Sequence, residues 1–233
     1  MLHLQNYSNF ILQNITLDIS SHLAILGDNG AGKSTLGRVL CGLIKSDKVF
    51  ISYPPMYSQR VNLNQIAFRD RAKSINYIPA KLDIYDKHIT MREYLELSNI
   101  RGMDSEPIIR DLKIDHLMAK THTSLGEASL VLMASALIHG AKYTIFDEPT
   151  ANLDPKRTIQ IFKLLQNDTT LKHKIIITHD LNLAHRLGYD ILYLQEGKII
   201  FQDTCEAFFE SDNLKTIFGD AIIKQEGFYR VNI

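Results

Sequence analysis

The sequence has no tryptophan, only two cysteines and no excess of charge of either sign. Its 233 residues include 26 lysines and arginines against 26 aspartates and glutamates. A formal net charge of zero gives the whole chain no electrostatic attraction for nucleic acid or for an anionic membrane surface. Cys41 and Cys205 are too few for a disulfide framework. We therefore expect a globular protein of the cytoplasm that binds no nucleic acid.

Long apolar runs are also missing from the sequence. The longest, residues 130–138, is interrupted by Ser135 and is far shorter than the roughly 20 residues that cross a hydrocarbon core. The first ten residues, MLHLQNYSNF, have no basic segment followed by an apolar stretch, so we expect no secretory signal. No repeat or Pro/Gly-rich linker divides the chain, which predicts a single domain over residues 1–233.

The first half of the chain shows the pattern of strands followed by a helix. Apolar and polar residues alternate at residues 2–4 and 15–19, which predicts strands exposed on one face. The short apolar run at residues 23–26 ends at Gly27 and is typical of a buried parallel strand. A helix is predicted over residues 34–43, with apolar positions at helical spacing: Leu36, Val39, Leu40 and Leu43.

The second half of the chain predicts a βαβ unit. Apolar strands are expected at residues 143–146 and 174–177, with a helical pattern at residues 154–165 between them. Residues 81–136 are mostly helical in pattern and carry few strand signals. We therefore expect an α/β core with a mostly parallel sheet, an antiparallel β part at the N-terminus and an inserted helical subdomain. The predicted ranges are residues 1–80 and 137–233 for the core and about 81–136 for the helical subdomain.

The segment GDNGAGKST, residues 27–35, matches the pattern G-x-x-x-x-G-K-[ST] in full, between a predicted strand and a predicted helix. Backbone N–H groups of such a loop converge on phosphate oxygens, and the helix N-terminus adds a favourable dipole. Lys33 is expected to reach the β- and γ-phosphates, and the Ser34 hydroxyl to ligate Mg²⁺. The alternative is a glycine-rich turn with a chance lysine. The candidate nucleotide-binding residues are Asp28, Asn29, Gly30, Ala31, Gly32, Lys33, Ser34 and Thr35.

Two further predicted strands end in polar residues. Asp147 and Glu148 follow the strand at residues 143–146, where ligands of open α/β sheets bind. We expect Asp147 to hold Mg²⁺ through water and Glu148 to polarise an attacking water, although Asp-Glu-Pro is also a helix-start signal. His179 follows the strand at residues 174–177, where contact with a γ-phosphate is expected; a structural histidine is the alternative.

Together these motifs resemble the nucleotide-binding subunit of an ABC transporter over essentially the whole chain. GDNGAGKST resembles the Walker A loop, YTIFDEPT the Walker B strand with its catalytic glutamate, residues 151–154 the D-loop and residues 178–180 the H-loop. The resemblance implies a P-loop NTPase (RecA-like) fold, hydrolysis of ATP with Mg²⁺, and a role in nucleotide contact for Asp154. It also implies that Tyr7 stacks on adenine, with Phe10 as the alternative.

The family's signature, usually Leu-Ser-Gly-Gly-Gln at a helix start, aligns with residues 123–127. Ser124 and Gly126 match it, whereas Leu125 does not. In the family this helix start covers ATP held by a second subunit, so the resemblance implies a homodimer or a pair with another ABC ATPase. The helix N-terminus and Ser124 would supply N–H donors and positive dipole to the γ-phosphate. Leu125 places a bulky side chain where the backbone approach is close.

A second departure from the family lies at Ala80, which aligns with the glutamine of the Q-loop. Alanine cannot ligate a metal ion. Asp83 is a nearby carboxylate that would substitute for the glutamine if the loop is shifted; a solvated loop carboxylate is the alternative. We therefore expect slow or partner-dependent hydrolysis.

The last part of the chain, residues 196–200 and 211–219, resembles the end of ATPase subunits of importers for ferric siderophores, haem and cobalamin. This implies transmembrane permease partners, an indirect periplasmic substrate-binding protein and a place on the inner face of the cell membrane. Two alternatives stay open: a soluble ABC-type ATPase of iron–sulfur or other protein assembly, and a degenerate ATP-binding partner subunit.

Overall fold

The computed structural model describes residues 1–53, 59–84 and 86–232. The chain divides into two compact units. The first unit consists of Met1–Gln65 and Ile175–Ile233, and the second of Ile66–Lys174. No helix within the described ranges combines the length and the apolar character that a membrane span requires.

An antiparallel sheet forms the N-terminal part of the first unit, with strand order β2-β1-β4-β5. Its strands are β1 (Leu2–Tyr7), β2 (Ile15–Ile19), β4 (Val49–Ser52) and β5 (Arg60–Asn62). In β2 buried apolar residues alternate with exposed ones, so the sequence pattern is confirmed. The buried imidazole of His3 joins three strands, since its Nδ1 bonds Asp18 Oδ1 at 2.5 Å and its Nε2 bonds Ser52 Oγ at 2.9 Å.

A parallel arrangement of strands forms the rest of the first unit. β3 (Leu23–Gly27) is buried along its whole length and pairs in parallel with β9 (Asp190–Gln195) and with the part of β8 (His173–Ile177) that belongs to this unit. β10 (Lys198–Asp203) closes a hairpin with β9. Burial on both faces explains why β3 reads as a continuous apolar run. The helices that follow strands here are α1 (Lys33–Leu40) and α7 (Leu181–Leu187).

The C-terminal segment of the first unit packs against α7. It comprises α8 (Cys205–Phe208), α9 (Ser211–Phe218) and the hairpin of β11 (Ile222–Gln225) and β12 (Phe228–Val231). The Asn182 side chain bonds both backbone groups of Tyr229, donating to its carbonyl at 3.0 Å and accepting from its N–H at 2.8 Å. These two bonds dock the hairpin on α7.

The second unit combines two parallel strands with helices. β6 (Ile75–Ile78) pairs in register with β7 (Tyr143–Asp147). The mostly buried helix α5 (Leu125–His139) has apolar residues on every side, as a helix inside a core requires. The helices of this unit are α2 (Phe68–Ser74), α3 (Met91–Ser98), α4 (Glu106–Asp111), α5 (Leu125–His139) and α6 (Pro155–Asn167).

The predicted elements are present, with one clear correction at the end of the first helix. α1 stops at Leu40, not at residue 43, and Leu43 is 66% exposed instead of facing the core. The chain leaves the helix because Gly42 adopts a left-handed φ of 76°, and its N–H bonds the Val39 carbonyl at 3.0 Å. The predicted helical range 81–136 lies inside the second unit, apart from residue 85, which is outside the described part; its boundaries as a subdomain stay a prediction.

Candidate active site

The phosphate loop leaves β3 at a position that only glycine can occupy. Gly27 has a φ of 147°, and a Cβ there would lie 2.1 Å from the Leu194 carbonyl oxygen of the adjacent β9. Gly32 then precedes α1 with a left-handed φ of 101°. The loop therefore turns sharply from a buried strand into a helix N-terminus, which is the local geometry that favours a bound anion.

Lys33 is buried within this loop, with 7% of its surface exposed. Its Nζ donates to the carbonyl oxygens of Gly27 at 2.7 Å and Asp28 at 2.9 Å. The ammonium is thus held over the loop by the loop's own backbone. Ser34 and Thr35 are half-buried in the first turn of α1.

A second loop, residues 8–14, packs against the phosphate loop. Asn9 Oδ1 accepts from the N–H groups of Ile11 at 2.8 Å and Leu12 at 2.6 Å, which fixes the turn. The Ile11 and Leu12 side chains reach within 3.0 Å of where a Cβ on Gly32 would stand. A base stacked by this loop would therefore lie beside the phosphate loop.

The two aromatic candidates of this region have opposite environments. Tyr7 is in the core at the end of β1, 8% exposed, and its hydroxyl accepts from Asn9 Nδ2 at 3.2 Å. Phe10 is 97% exposed. A ring needs a free face to stack on a base, so the geometry favours Phe10 over the predicted Tyr7.

His179 is exposed and lies two residues after the end of β8. Its neighbours fix the backbone on both sides: Thr178 Oγ1 accepts from the Asp180 N–H at 3.1 Å, and Asp180 caps α7 through the N–H groups of Asn182 and Leu183. The imidazole thus stands on a rigid strand-to-helix connection.

The acidic end of β7 lies in the second unit. Asp147 is 6% exposed, and its Oδ2 accepts a hydrogen bond from the Tyr77 hydroxyl on β6. Glu148 follows in a left-handed conformation with φ of 47° and is half-buried. Carboxylate and hydroxyl oxygens are the donors that Mg²⁺ accepts alongside substrate phosphates and water, so Asp147 and Ser34 have the right chemistry for that ion.

A capping box forms at the N-terminus of α5, the helix start that aligns with the family signature. Ser124 Oγ accepts from the Glu127 N–H at 3.3 Å, and Glu127 Oε2 accepts from both the N–H and the hydroxyl of Ser124 at 2.9 Å. The backbone hydrogen bond, then the Ser124 hydroxyl, lower the pKa of Glu127 to about 2, and Lys120 at 3.5 Å adds to the effect. Leu125 is 62% exposed.

The predicted D-loop aspartate, Asp154, is the N-cap of α6. Asp154 Oδ1 accepts from the Arg157 N–H at 3.0 Å and caps α6. The Arg157 side chain packs against Gly126, where an added Cβ would lie 3.1 Å from its Cγ. The start of α6 and the start of α5 are therefore in contact. The role of Asp154 toward a nucleotide stays a prediction.

Ala80 and Asp83 are both exposed and line a groove of about 560 Å³ in the second unit. Leu125 and Pro149 line the same groove. The methyl group of Ala80 leaves this segment without the amide oxygen of the family's glutamine.

Three residues that form hydrogen bonds with the candidate site residues were not predicted from the sequence. The Tyr193 hydroxyl bonds Asp28, 165 residues away in the sequence, and the Tyr77 hydroxyl bonds Asp147, 70 residues away. No local sequence pattern predicts contacts over such separations. Glu127 could have been found, because Ser124-x-x-Glu127 is a capping-box pattern before an apolar run.

The sequence profile of one protein family, described as ABC transporter, matches residues 12–151. The chain belongs to the ABC transporter family. Its relatives include the energy-coupling factor transporter ATP-binding protein EcfA of Aster yellows witches'-broom phytoplasma, 34% identical over 87% of this chain and 78% of that protein. The metal-staphylopine import system ATP-binding protein CntF of Staphylococcus aureus (strain NCTC 8325 / PS 47) is 30% identical over 85% of this chain and 83% of its own length.

Coverage differs among the relatives of this ABC protein. The ribose import ATP-binding protein RbsA of Caldanaerobacter subterraneus subsp. tengcongensis is 29% identical over 90% of this chain, which spans 45% of the length of RbsA. Among solved structures, CbiO1 of Clostridium perfringens, part of the ABC transporter complex CbiONQ, superposes with a TM-score of 0.73, covers 93% of both chains and is 24% identical. The predicted fold, a P-loop NTPase with parallel strands and an antiparallel β part, is confirmed, and the chain is an ATPase of the ABC family.

Proposed function

We propose that this ABC ATPase is the ATP-hydrolysing subunit of a bacterial importer. The observation that carries the proposal is the buried ammonium of Lys33, held at the N-terminus of α1 by the carbonyls of its own loop. In a phosphate loop the lysine ammonium at this position reaches the β- and γ-phosphates of the bound nucleotide. A triphosphate matches that charge and the N–H groups of the surrounding loop.

Residues of both units have proposed roles in the reaction. In the first, the phosphate loop binds the triphosphate, Phe10 stacks on the adenine, and His179 contacts the γ-phosphate. In the second, Glu148 polarises the attacking water. Ser34 in the first unit and Asp147 in the second are the oxygen donors that we propose for Mg²⁺, which would supply charge neutralisation at the phosphates. Phosphoryl transfer needs mainly this positioning and charge neutralisation.

The assembly that we propose is a dimer, either of two copies or with another ABC ATPase. The N-terminus of α5 with Ser124 and Gly126 would cover the γ-phosphate of the other subunit's ATP, and Asp154 would contact the same interface. The exposed Leu125 supports the proposal, because a side chain that is 62% exposed at a helix start is available to a partner surface.

The further partners are transmembrane permease subunits and, indirectly, a periplasmic substrate-binding protein. This proposal places the chain on the cytoplasmic face of the membrane. The names of RbsA and CntF, both import ATP-binding proteins, support import as the direction of transport.

For the cargo we propose a metal chelate, in the class of ferric siderophores, haem and cobalamin. The support is the resemblance of residues 211–219, which form α9 and its glycine end, together with the metal-staphylopine import named for CntF. Membership of the family does not determine the cargo, since a relative named for ribose import matches 90% of this chain.

A second candidate function is a degenerate partner subunit that binds ATP while another chain hydrolyses it. The exposed methyl group of Ala80 favours this alternative, because it offers no oxygen to Mg²⁺ or to the attacking water.

The deciding experiment measures Mg²⁺-ATP turnover and light scattering of the wild type, Glu148→Gln and Glu96→Gln. Glu96 is an exposed glutamate on α3 and is the matched control. We expect turnover in the wild type and in Glu96→Gln, and an ATP-trapped dimer without turnover in Glu148→Gln. ATP binding without turnover in the wild type supports the degenerate partner, and absence of ATP binding overturns both.

A pull-down from detergent-solubilised membranes tests the permease partner. A multi-helix membrane protein that co-purifies with the wild type supports the importer. A soluble complex retained in detergent-free lysate supports the assembly ATPase instead.

A further inference from the structure

Tyr193 connects β9 to the phosphate loop. Its hydroxyl donates a hydrogen bond to Asp28 Oδ1 at 3.2 Å. Asp28 is the second residue of the loop, and its carbonyl accepts from the Ala31 N–H at 3.2 Å and from Lys33 Nζ at 2.9 Å. The tyrosine thus fixes the side chain of a residue whose backbone already shapes the loop.

The position of the Tyr193 hydroxyl is set by the surrounding core. The residue is 2% exposed, and the parallel register places it opposite Leu26, one residue before Gly27. Its ring packs against Phe208 of α8, with ring centroids 6.0 Å apart, and against the edge of Phe218 of α9 at 5.3 Å. The C-terminal helices therefore hold the donor that Asp28 uses.

The electrostatics of the pair keep the hydroxyl protonated. Burial raises the pKa of Tyr193, and the Asp28 charge and hydrogen bond raise it further, so the phenol remains a donor at neutral pH. Asp28 itself brings a carboxylate to a loop that must receive several phosphate charges. Like charges at short range oppose binding, and a fixed hydrogen bond limits how closely the carboxylate approaches the ligand.

We propose that Tyr193 is a positioning residue for nucleotide binding, which holds the Asp28 carboxylate toward β9 and so lowers its repulsion of the triphosphate. The inference rests on the proposed binding of ATP by the phosphate loop. The same proposal gives the C-terminal helices α8 and α9 a role in nucleotide affinity, because they pack against the ring of Tyr193.

The test is a double-mutant cycle on the Kd for ATP with Tyr193→Phe, Asp28→Asn and the double variant. Phenylalanine keeps the packed ring and removes only the donor, while asparagine removes the charge. We expect Tyr193→Phe to weaken ATP binding about ten-fold when Asp28 is intact, the lower end of the loss typical of a hydrogen bond to a charged group. In the Asp28→Asn background the same change should have no effect, because there is no charge to restrain.

Tyr229→Phe is the matched control. Tyr229 is a buried tyrosine of the same unit whose hydroxyl has no hydrogen-bond partner among the described residues, so its removal should leave the Kd unchanged. Thermal unfolding of each variant in the absence of ATP verifies folding. Raising the salt concentration should reduce the Tyr193→Phe effect, since repulsion between partly exposed charges is screened.

Two outcomes would overturn the inference. An unchanged Kd in Tyr193→Phe shows that the hydrogen bond does not govern affinity. An equal loss with Asp28 intact and in the Asp28→Asn background shows that the tyrosine only supports the fold. Absence of ATP binding by the wild type is a different result, because it overturns the proposed function first and the inference with it.

Discussion

The hydroxyl of Tyr77 donates a hydrogen bond to the Asp147 carboxylate, and both residues belong to the second unit. Tyr77 pairs in register with Ile145 on the adjacent strand, so its ring extends along the sheet toward the carboxyl end of β7. Ala80 lies three residues beyond it, where the family has its glutamine. The bond therefore ties the segment that lacks the glutamine to the proposed Mg²⁺ ligand.

Tyr77→Phe should weaken the response to Mg²⁺ and leave metal-free nucleotide binding unchanged. Loss of one hydrogen bond to a carboxylate costs about 1.5 kcal/mol or more, so we expect about a ten-fold rise in the Mg²⁺ concentration needed for half-maximal turnover. The measurement is turnover and ATP affinity across a Mg²⁺ titration. Tyr94→Phe is the control, since that hydroxyl bonds Ser135 in the same unit. Equal Mg²⁺ dependence in both variants would contradict a role for Tyr77.

Phe10→Ala should weaken ATP binding about ten-fold, the loss expected when one base–aromatic stack is removed. Binding of inorganic triphosphate should stay unchanged, because that ligand has no base. Phe68→Ala is the control, a 78% exposed phenylalanine on α2. An ATP affinity in Phe10→Ala equal to that of the wild type would contradict stacking by Phe10 and favour Tyr7 as the residue that contacts adenine.

Lys33→Ala should abolish measurable ATP binding, a loss of about 100-fold or more, because the β- and γ-phosphates lose their buried charge. Isothermal titration with ATP checks this, and Lys163→Ala on α6 is the control for loss of a lysine elsewhere. Wild-type affinity in Lys33→Ala would refute the phosphate-loop assignment.

Ala80→Gln should raise Mg²⁺-ATP turnover if the missing amide limits the reaction. One restored hydrogen bond of about 1 kcal/mol corresponds to a rise of about five-fold. Ala80→Leu is the matched control, since it adds bulk at the same exposed position without an oxygen. No change in Ala80→Gln would mean that this segment works without a glutamine.

Glu127→Gln should remove an acid-sensitive contribution to stability. The pKa of Glu127 falls from 4.5 to about 2 on folding, so the charged form stabilises the folded chain above about pH 4.5 and this contribution is lost as the pH falls toward 2. At neutral pH we expect the free energy of unfolding of the wild type to exceed that of the variant by about 0.5 kcal/mol, because glutamine keeps the hydrogen-bond acceptor and only the negative charge at the helix N-terminus is lost. Urea unfolding at about pH 6 and about pH 3 measures the difference.

The advantage of the wild type should shrink at the lower pH. Glu93→Gln in the second capping box is expected to change in the same direction, because the N–H and the hydroxyl of Thr90 lower the pKa of Glu93. A constant difference between wild type and Glu127→Gln at both pH values would contradict the assignment.

Local patterns determined the elements and the motifs of this protein. The apolar run of β3, the glycines after it and Lys33 follow one another along the chain, so their strand, loop and helix could be predicted from spacing alone. The same holds for Ser124 at the start of α5, because a cap acts within one helical turn. The family followed from the order of these motifs.

The tertiary structure decided which side chains support those motifs. Tyr193 reaches Asp28 across 165 residues of chain, and Tyr77 reaches Asp147 across 70, because strand order and register bring them together. The two candidates for the adenine contact, Tyr7 and Phe10, differ in burial, and this difference is seen only in the tertiary structure. The alternating pattern of β1 does not predict the exposure of Phe10, because Phe10 lies in a turn shaped by Asn9. Sequence patterns carry local geometry, whereas contacts between distant segments depend on packing that no single segment encodes.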